Sequence, residues 1–138
     1  MTTQPVLLDT DVLSAIMRRH PQATERARLY LLEHRRFTFS TITRYEVLRG
    51  LLAKQAVRQQ HAFAQLCAVS EVLPMTDEVV EQGAVIYADL HQRGELIGNA
   101  DILIGATALV YGYVLATNNT DHFIRIAGLT TENWLLAE

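Results

Sequence analysis

Apolar and polar positions change period several times along the chain, and each change marks an element. Val6-Leu7-Leu8 is a continuous apolar run that stops at Asp9, the pattern of a strand buried on both faces. Val12, Leu13, Ile16 and Met17 then recur at helical spacing. Pro21 opens a second helix that is expected to reach about His34. Phe37-Thr38-Phe39 reads as a second strand. Thr41 or Thr43 reads as the cap of the next helix, with Tyr45, Leu48, Leu51 and Leu52 as its apolar side. A helix over 57–69 precedes a third strand at Val72-Leu73, closed by Pro74. Thr76 is placed to cap a helix whose first turn holds Asp77 and Glu78, where the dipole favours acids. Val79, Gly83, Ile86, Tyr87 and Leu90 mark that helix's buried side, and Gly94 marks its end. Asn99 is expected to cap a helix ending at Tyr111-Gly112, and Val114-Leu115-Ala116 to form a fourth strand.

Strands alternating with helices, with no repeat or linker, imply a single α/β domain spanning 1–138. Its parallel sheet should be covered on both faces. In such sheets ligands bind at the carboxyl ends of strands and at the helix N-termini beside them. That rule selects Asp9 and Asp11 after the first strand, and Thr117, Asn118, Asn119 and Asp121 after the fourth. It also selects Asp101 at a helix start, and Glu46 one turn into the helix after the second strand.

Composition changes this picture little. At 49% hydrophobic and 20% charged, the chain can bury a core. Cys67 is the only cysteine, so no intrachain disulfide forms, which suits a reducing cytoplasm; its helical setting reads as a buried structural thiol. The start, Met1-Thr2-Thr3-Gln4-Pro5, lacks the features of a signal peptide. The stretch from Ile102 to Ala116 is interrupted by glycine and is shorter than the roughly 20 residues that span a bilayer. A cytoplasmic protein with no membrane partner is therefore expected. The net charge of −3 hides an asymmetry: residues 1–60 hold ten Arg/Lys and five Asp/Glu, whereas 61–138 hold two and ten. Eleven of the twelve cations are Arg, which grips phosphate or carboxylate in two-pronged geometry, although scattered ion pairs would use them equally.

Asp9, Glu46 and Asp101 each stand at the edge of an apolar run. Brought together they would repel one another, and their pKa values would rise. A hard divalent cation, Mg²⁺ or Mn²⁺, relieves this with oxygen ligands and its own waters. No His-x-x-x-His or Cys-x-x-Cys spacing favours zinc, and His122 is the only histidine near these acids in the predicted layout. Plainer roles exist for each acid. Asp11 would cap the first helix, Glu46 would pair with Arg49, and Asp101 would serve a helix dipole. Asp9 has the weakest alternative, because a strand-end acid after three apolar residues needs a partner.

Four segments carry a family resemblance. Leu7-Leu8-Asp9-Thr10-Asp11-Val12-Leu13 resembles the opening of PIN domains, and Ser40 to Leu51, with Glu46, resembles their second acidic motif. Ile97 to Ala106, with Asp101, resembles the third. Ala116-Thr117-Asn118-Asn119-Thr120-Asp121-His122-Phe123, followed by Ile126-Ala127-Gly128-Leu129 and Asn133-Trp134, resembles the fourth motif and tail of the VapC toxin branch. The resemblance implies a three-layer α/β/α sandwich with a mostly parallel sheet of four to five strands. It implies a metal-dependent endoribonuclease toxin, giving 5′-phosphate and 3′-hydroxyl products from RNA and held inactive by a VapB-type antitoxin. By the same resemblance Asp9, Glu46 and Asp101 take the metal and catalytic positions. Thr117 takes the hydroxyl position beside the metal, with Thr10, Asp11 and Asn119 supporting. Family members often carry a carboxylate where Asn119 stands, so Asp121 is expected to compensate as a fourth catalytic acid. At least a homodimer is expected, with Arg18, Arg19, Arg26, Arg28, Arg35 and Arg36 forming a positive rim around the acids.

Two other readings compete. Asp9-x-Asp11 also resembles the start of haloacid-dehalogenase-type phosphotransferases, but those need a late lysine and a further acidic pair. Lys54 is the only lysine, and the same lack disfavours a response-regulator receiver. A non-catalytic PIN-like module binding RNA or protein would have no need to retain the acids.

Overall fold

The structure is a computed structural model that describes residues 4–137; the Met1-Thr2-Thr3 portion of the leader reading lies outside them. The strands are β1 (Val6–Leu8), β2 (Thr38–Ser40), β3 (Glu71–Leu73), β4 (Val114–Ala116) and β5 (Thr131–Glu132). The helices are α1 (Thr10–Met17), α2 (Pro21–His34), α3 (Thr41–Ala53), α4 (Val57–Ala68), α5 (Asp77–Gln92), α6 (Asn99–Tyr111) and α7 (Thr120–Phe123). The strands pair in the order β3-β2-β1-β4-β5, all parallel, with Leu7 opposite Thr38 on one side and Leu115 on the other.

Side chains of β1 divide between two cores, as alternation along a strand requires. Val6 and Leu8 join Val12, Leu13, Tyr30, Phe39 and Phe63 beneath α1–α4. Leu7 joins Leu115, Val79, Ile86, Leu90 and Ile104 beneath α5 and α6. These are the expected three layers. Because neighbours β1 and β4 are reached by connections running in opposite directions along the sheet, a crevice opens at their carboxyl ends. Asp9 and Thr117 are the residues that follow those two ends.

Several local readings are corrected. Asp9, not Asp11, is the N-cap of α1: its side chain accepts from Thr10 N, and Asp11 lies in the first turn. Ser40, not Thr41 or Thr43, caps α3 by accepting from Thr43 N at 3.1 Å. This fits the preference of a strand-end hydroxyl for orphan helix N–H groups. Tyr45 and Leu52 are exposed, so α3 packs through Thr43 and Val47, with Leu48 and Leu51 half-buried. The exposed Tyr45 ring carries the Arg49 guanidinium, 5.3 Å from its centroid. Gly98 rather than Asn99 is the N-cap residue of α6, with no side-chain cap. Tyr87 is exposed and stacks on His91 rather than joining the buried side of α5. Thr76, by contrast, caps α5 as expected, and Gly112 ends α6 at φ +76°, a left-handed turn natural to glycine. Cys67 packs at the edge of the α1–α4 core, and burial pushes its thiol pKa up, which keeps it unreactive. Among the described residues no helix is long and apolar enough to cross a membrane.

The chain after β4 closes the site. Gly105 of α6 lets this segment approach: a Cβ there would lie 2.6 Å from Ile126 Cδ1. Trp134 is buried against Tyr30, and its Nε1 donates to Glu132 at 2.9 Å. Arg26 covers the indole and pairs with the same carboxylate, fixing β5 against α2.

Candidate active site

Asp9 stands at the join of β1 and α1, and all its polar contacts are set by that position. Oδ1 accepts the Thr10 N–H at 2.7 Å, and Oδ2 accepts the Thr117 hydroxyl at 2.8 Å. Thr117 Oγ1 in turn accepts the Asn119 N–H at 2.9 Å, so the loop after β4 is built around this carboxyl. Asp9 is 4% exposed. Burial, above all, and then the neighbouring Asp11 charge push its pKa up to about 7. Asp101 adds to the rise, while the Thr117 and Thr10 hydrogen bonds oppose it.

Asp11 sits two residues on. Its Oδ2 accepts the Asn118 N–H at 3.1 Å, and its Oδ1 is buried without a partner. Burial again raises its pKa, with the Asp101 charge assisting, and its carboxyl is near enough to that of Asp9 for a shared proton to bridge them. Asp101 enters from the first turn of α6. Its Oδ2 lies 3.0 Å from His122 Nδ1 and 3.3 Å from Asn119 Nδ2. Asn119 Nδ2 and His122 Nδ1 are themselves 2.8 Å apart, so the imidazole tautomer decides which of these bonds is made. Glu46 projects from α3. Oε1 accepts the Thr10 hydroxyl at 2.6 Å, which leaves the Thr43 hydroxyl, 3.2 Å away, to donate to Thr10. Oε2 meets only Arg49, at 3.6 Å, in a half-exposed pair worth little.

Asp9, Asp11 and Asp101 therefore form one electrostatic cluster, and Glu46 joins it through Thr10. Thr10 and Thr117 hydrogen-bond to Asp9, Thr10 also to Glu46, and Asn119 Nδ2 reaches Asp101. Asp121 is not brought in: it is exposed in the first turn of α7 and makes no hydrogen bond or ion pair among the described residues. The side chain that reaches the cluster from α7 is His122. Its helical offset of three from Asn119 was the available signal, but a single histidine in a polar stretch carries little by itself.

Among the described residues no three acidic, histidine or cysteine side chains already surround one point as a cage. Carboxylates without a counter-charge are expected to stand apart, and Mg²⁺-type ions need only one or two of them, keeping several waters. The all-oxygen donors, the raised Asp9 pKa and the orphan Asp11 oxygen all suit a hard cation.

A groove of about 780 Å³ leads away from the acids between α1, α3 and α4. Thr10 and Glu46 line its inner end; Ser14, Leu51 and Leu66 line its body; Arg18, Arg19 and Lys54 edge it. The expected arginine rim is thus only partly realised. Arg26 is engaged by Glu132 and Trp134, Arg28 pairs with Glu25, and Arg36 pairs with Glu71 at the start of β3, the end of the sheet away from the acids. The charge count could not foresee this, because it does not say which arginines meet a carboxylate: Glu132 and Glu71 come from the acidic second half, and Glu25 from the same helix as Arg28.

Comparisons with known proteins agree with this fold. The PIN domain family model matches residues 6–129. Ribonuclease VapC2 of Rickettsia felis is 26% identical over 129 residues, covering 93% of this chain and 96% of the relative. The tRNA(fMet)-specific endonuclease VapC of Shigella flexneri is 28% identical with the same coverage. The DNA-bound VapBC structure from Salmonella typhimurium superposes with a TM-score of 0.82 at 28% identity, covering 95% of this chain and 98% of that one. The three-layer parallel sheet, the acids at its switch point and the match over nearly the whole chain identify the protein as a member of the PIN domain family.

Proposed function

We propose that the chain is a divalent-metal-dependent endoribonuclease that hydrolyses RNA phosphodiester bonds, the toxin half of a toxin–antitoxin pair. The observation that carries this is the buried Asp9 carboxyl, its pKa raised to about 7 beside Asp11 and Asp101 at the sheet's switch point. A structural carboxylate is ordinarily paired with a cation or exposed; this one is surrounded by its own charge. Relatives named as ribonucleases support the reaction class, and the Shigella flexneri relative makes tRNA the first substrate to try.

Asp9 and Asp101 would hold the cation, Mg²⁺ or Mn²⁺, with Glu46 nearby. Bound there, it supplies an activated water and neutralises charge on the phosphate. The chain's own residues do the rest. Thr10 N–H and Thr117 fix Asp9, while Asn119 and His122 fix Asp101. Glu46 keeps Oε1 on Thr10 and has only exposed Arg49 on Oε2, so Oε2 is the oxygen free to take a proton. Arg18, Arg19 and Lys54 along the groove grip RNA phosphates.

The metal-free chain, given Mg²⁺ or Mn²⁺, is expected to cleave RNA, and chelator is expected to stop it. Cleavage that persists at full rate in chelator would point to a contaminating nuclease or to a different chemistry. A partner follows from the same groove, whose apolar body and acidic end suit a VapB-type antitoxin bringing an Arg or Lys to the acids. Chain co-purified with such an antitoxin should cleave nothing until the antitoxin is removed.

The toxin is further expected to be at least a homodimer, since one small subunit offers little surface to RNA. Val80 and Tyr87, seven positions apart on one side of α5, are exposed apolar residues that a second copy would cover. A strict monomer by light scattering at micromolar concentration, fully active, would remove the dimer.

A further inference from the structure

The identity of the fourth acid is open at position 119, where a neutral asparagine stands, and the two candidates are placed differently. Asp121 is exposed on a four-residue helix and touches none of the other acids through a hydrogen bond. Asp11 is anchored. The Asn118 N–H holds its Oδ2, which ties the start of α1 to the loop after β4. Its Oδ1 is enclosed by protein and has no partner. A buried anionic oxygen left unsatisfied is costly and rare, and it calls for something the chain itself does not supply. Besides the Asn118 and Val12 N–H groups, the neighbours that act on Asp11 are Asp9 and Asp101, which can offer it at most a shared proton. A cation, directly or through one of its waters, would satisfy the oxygen and relieve all three charges together.

We propose that Asp11, rather than Asp121, supplies the fourth carboxylate of the divalent-cation site, with the Asn118 N–H fixing one of its oxygens and leaving Oδ1 for the cation or its water. The proposal rests on the metal-site reading above. It gives the cluster Asp9, Asp11, Asp101 and Glu46 as its acids, so the neutral side chain at Asn119 leaves no deficit of charge. Asn119 then acts as a positioning residue on Asp101.

The test is Mn²⁺ binding alone, measured on metal-free full-length chain by the electron paramagnetic resonance signal of free Mn²⁺. The variants are Asp9→Asn, Asp11→Asn and Asp121→Asn. Asp11→Asn keeps an oxygen for the Asn118 N–H, so a merely structural Asp11 would leave affinity untouched. As a lost ligand or outer-sphere partner, it should weaken Mn²⁺ binding about tenfold or more. Asp121→Asn should stay within about twofold of wild type, far short of the loss expected when a ligand's partner is removed. Asp11→Ser, a smaller hydroxyl replacement, should repeat the loss, with circular dichroism reporting that both variants fold. Wild-type affinity in Asp11→Asn, or a larger loss in Asp121→Asn, overturns the proposal. Should Asp9→Asn also bind Mn²⁺ like wild type, the metal-site reading fails as well, so the two failures are told apart.

Discussion

Asp9→Asn is expected to abolish metal-dependent RNA cleavage while leaving the chain folded. The substitution removes charge and keeps shape. Asn Oδ1 can still accept the Thr10 N–H, and its Nδ2 can donate to Thr117 Oγ1 once that hydroxyl rotates, so the loop after β4 keeps its frame. What is lost is the most buried of the clustered carboxylates, the charge on which the proposed cation site depends. Metal stabilisation of a phosphoryl transition state is worth several kcal/mol, so activity should fall roughly a thousandfold or more. The metal-free variant should meanwhile be more stable than wild type above pH 7, because a buried charge beside Asp11 and Asp101 has been removed. Single-turnover cleavage and urea unfolding read the two effects separately. Full activity in Asp9→Asn would show that the acids at the switch point are not the site.

How far the sequence reveals this site depends on the kind of signal each residue leaves. Asp9 was legible because three apolar residues lead straight into it, and only a strand ending at a polar crevice explains that order. Strand and helix order was legible for the same reason, through runs such as Val114-Leu115-Ala116 and the caps at Thr76 and Gly112. The two-residue β5 was not, since Thr131-Glu132 has no period; it exists because Leu115 N and Thr117 N need acceptors, which the Thr130 and Glu132 carbonyls supply. The α1 cap was misread because Asp9 and Asp11 both suit the role, and strand end and helix start share one residue here. The role of Asp11 depends on a bond to Asn118, 107 positions away, which no local pattern encodes. His122, Arg26 and Arg36 are hidden likewise, since their partners come from distant elements.

Stability without metal should fall as pH rises, opposite to the usual behaviour of carboxylate-rich proteins in acid. Asp9 titrates near 3.8 in the unfolded chain and at about 7 in the folded one, and Asp11 is shifted in the same direction. Between those values the folded chain holds protons that the unfolded chain has released, so raising pH favours unfolding. The stabilising protonation is complete below about pH 4, is lost progressively up to about 7 and is absent above it. The groups acting on Asp9 are Asp11, Asp101 and the uncharged Thr10 and Thr117, so among the described residues no cation is paired with it to offset the change. Glu25 and Asp89, whose pKa values are lowered by Arg28 and Arg93, favour folding at higher pH, but both are fully exposed and solvent screens their contribution. The Asp9 shift alone corresponds to roughly 2–4 kcal/mol between pH 4 and pH 8. Urea midpoints in chelator should therefore drop across this range, and Asp9→Asn should flatten the decline. Saturating Mn²⁺ should reverse it, because the ion binds the deprotonated acids and gains affinity as they ionise. A midpoint that rises steadily from pH 5 to pH 8 in chelator would mean that Asp9 is already ionised in the metal-free fold, and that a partner other than a proton or a metal neutralises it.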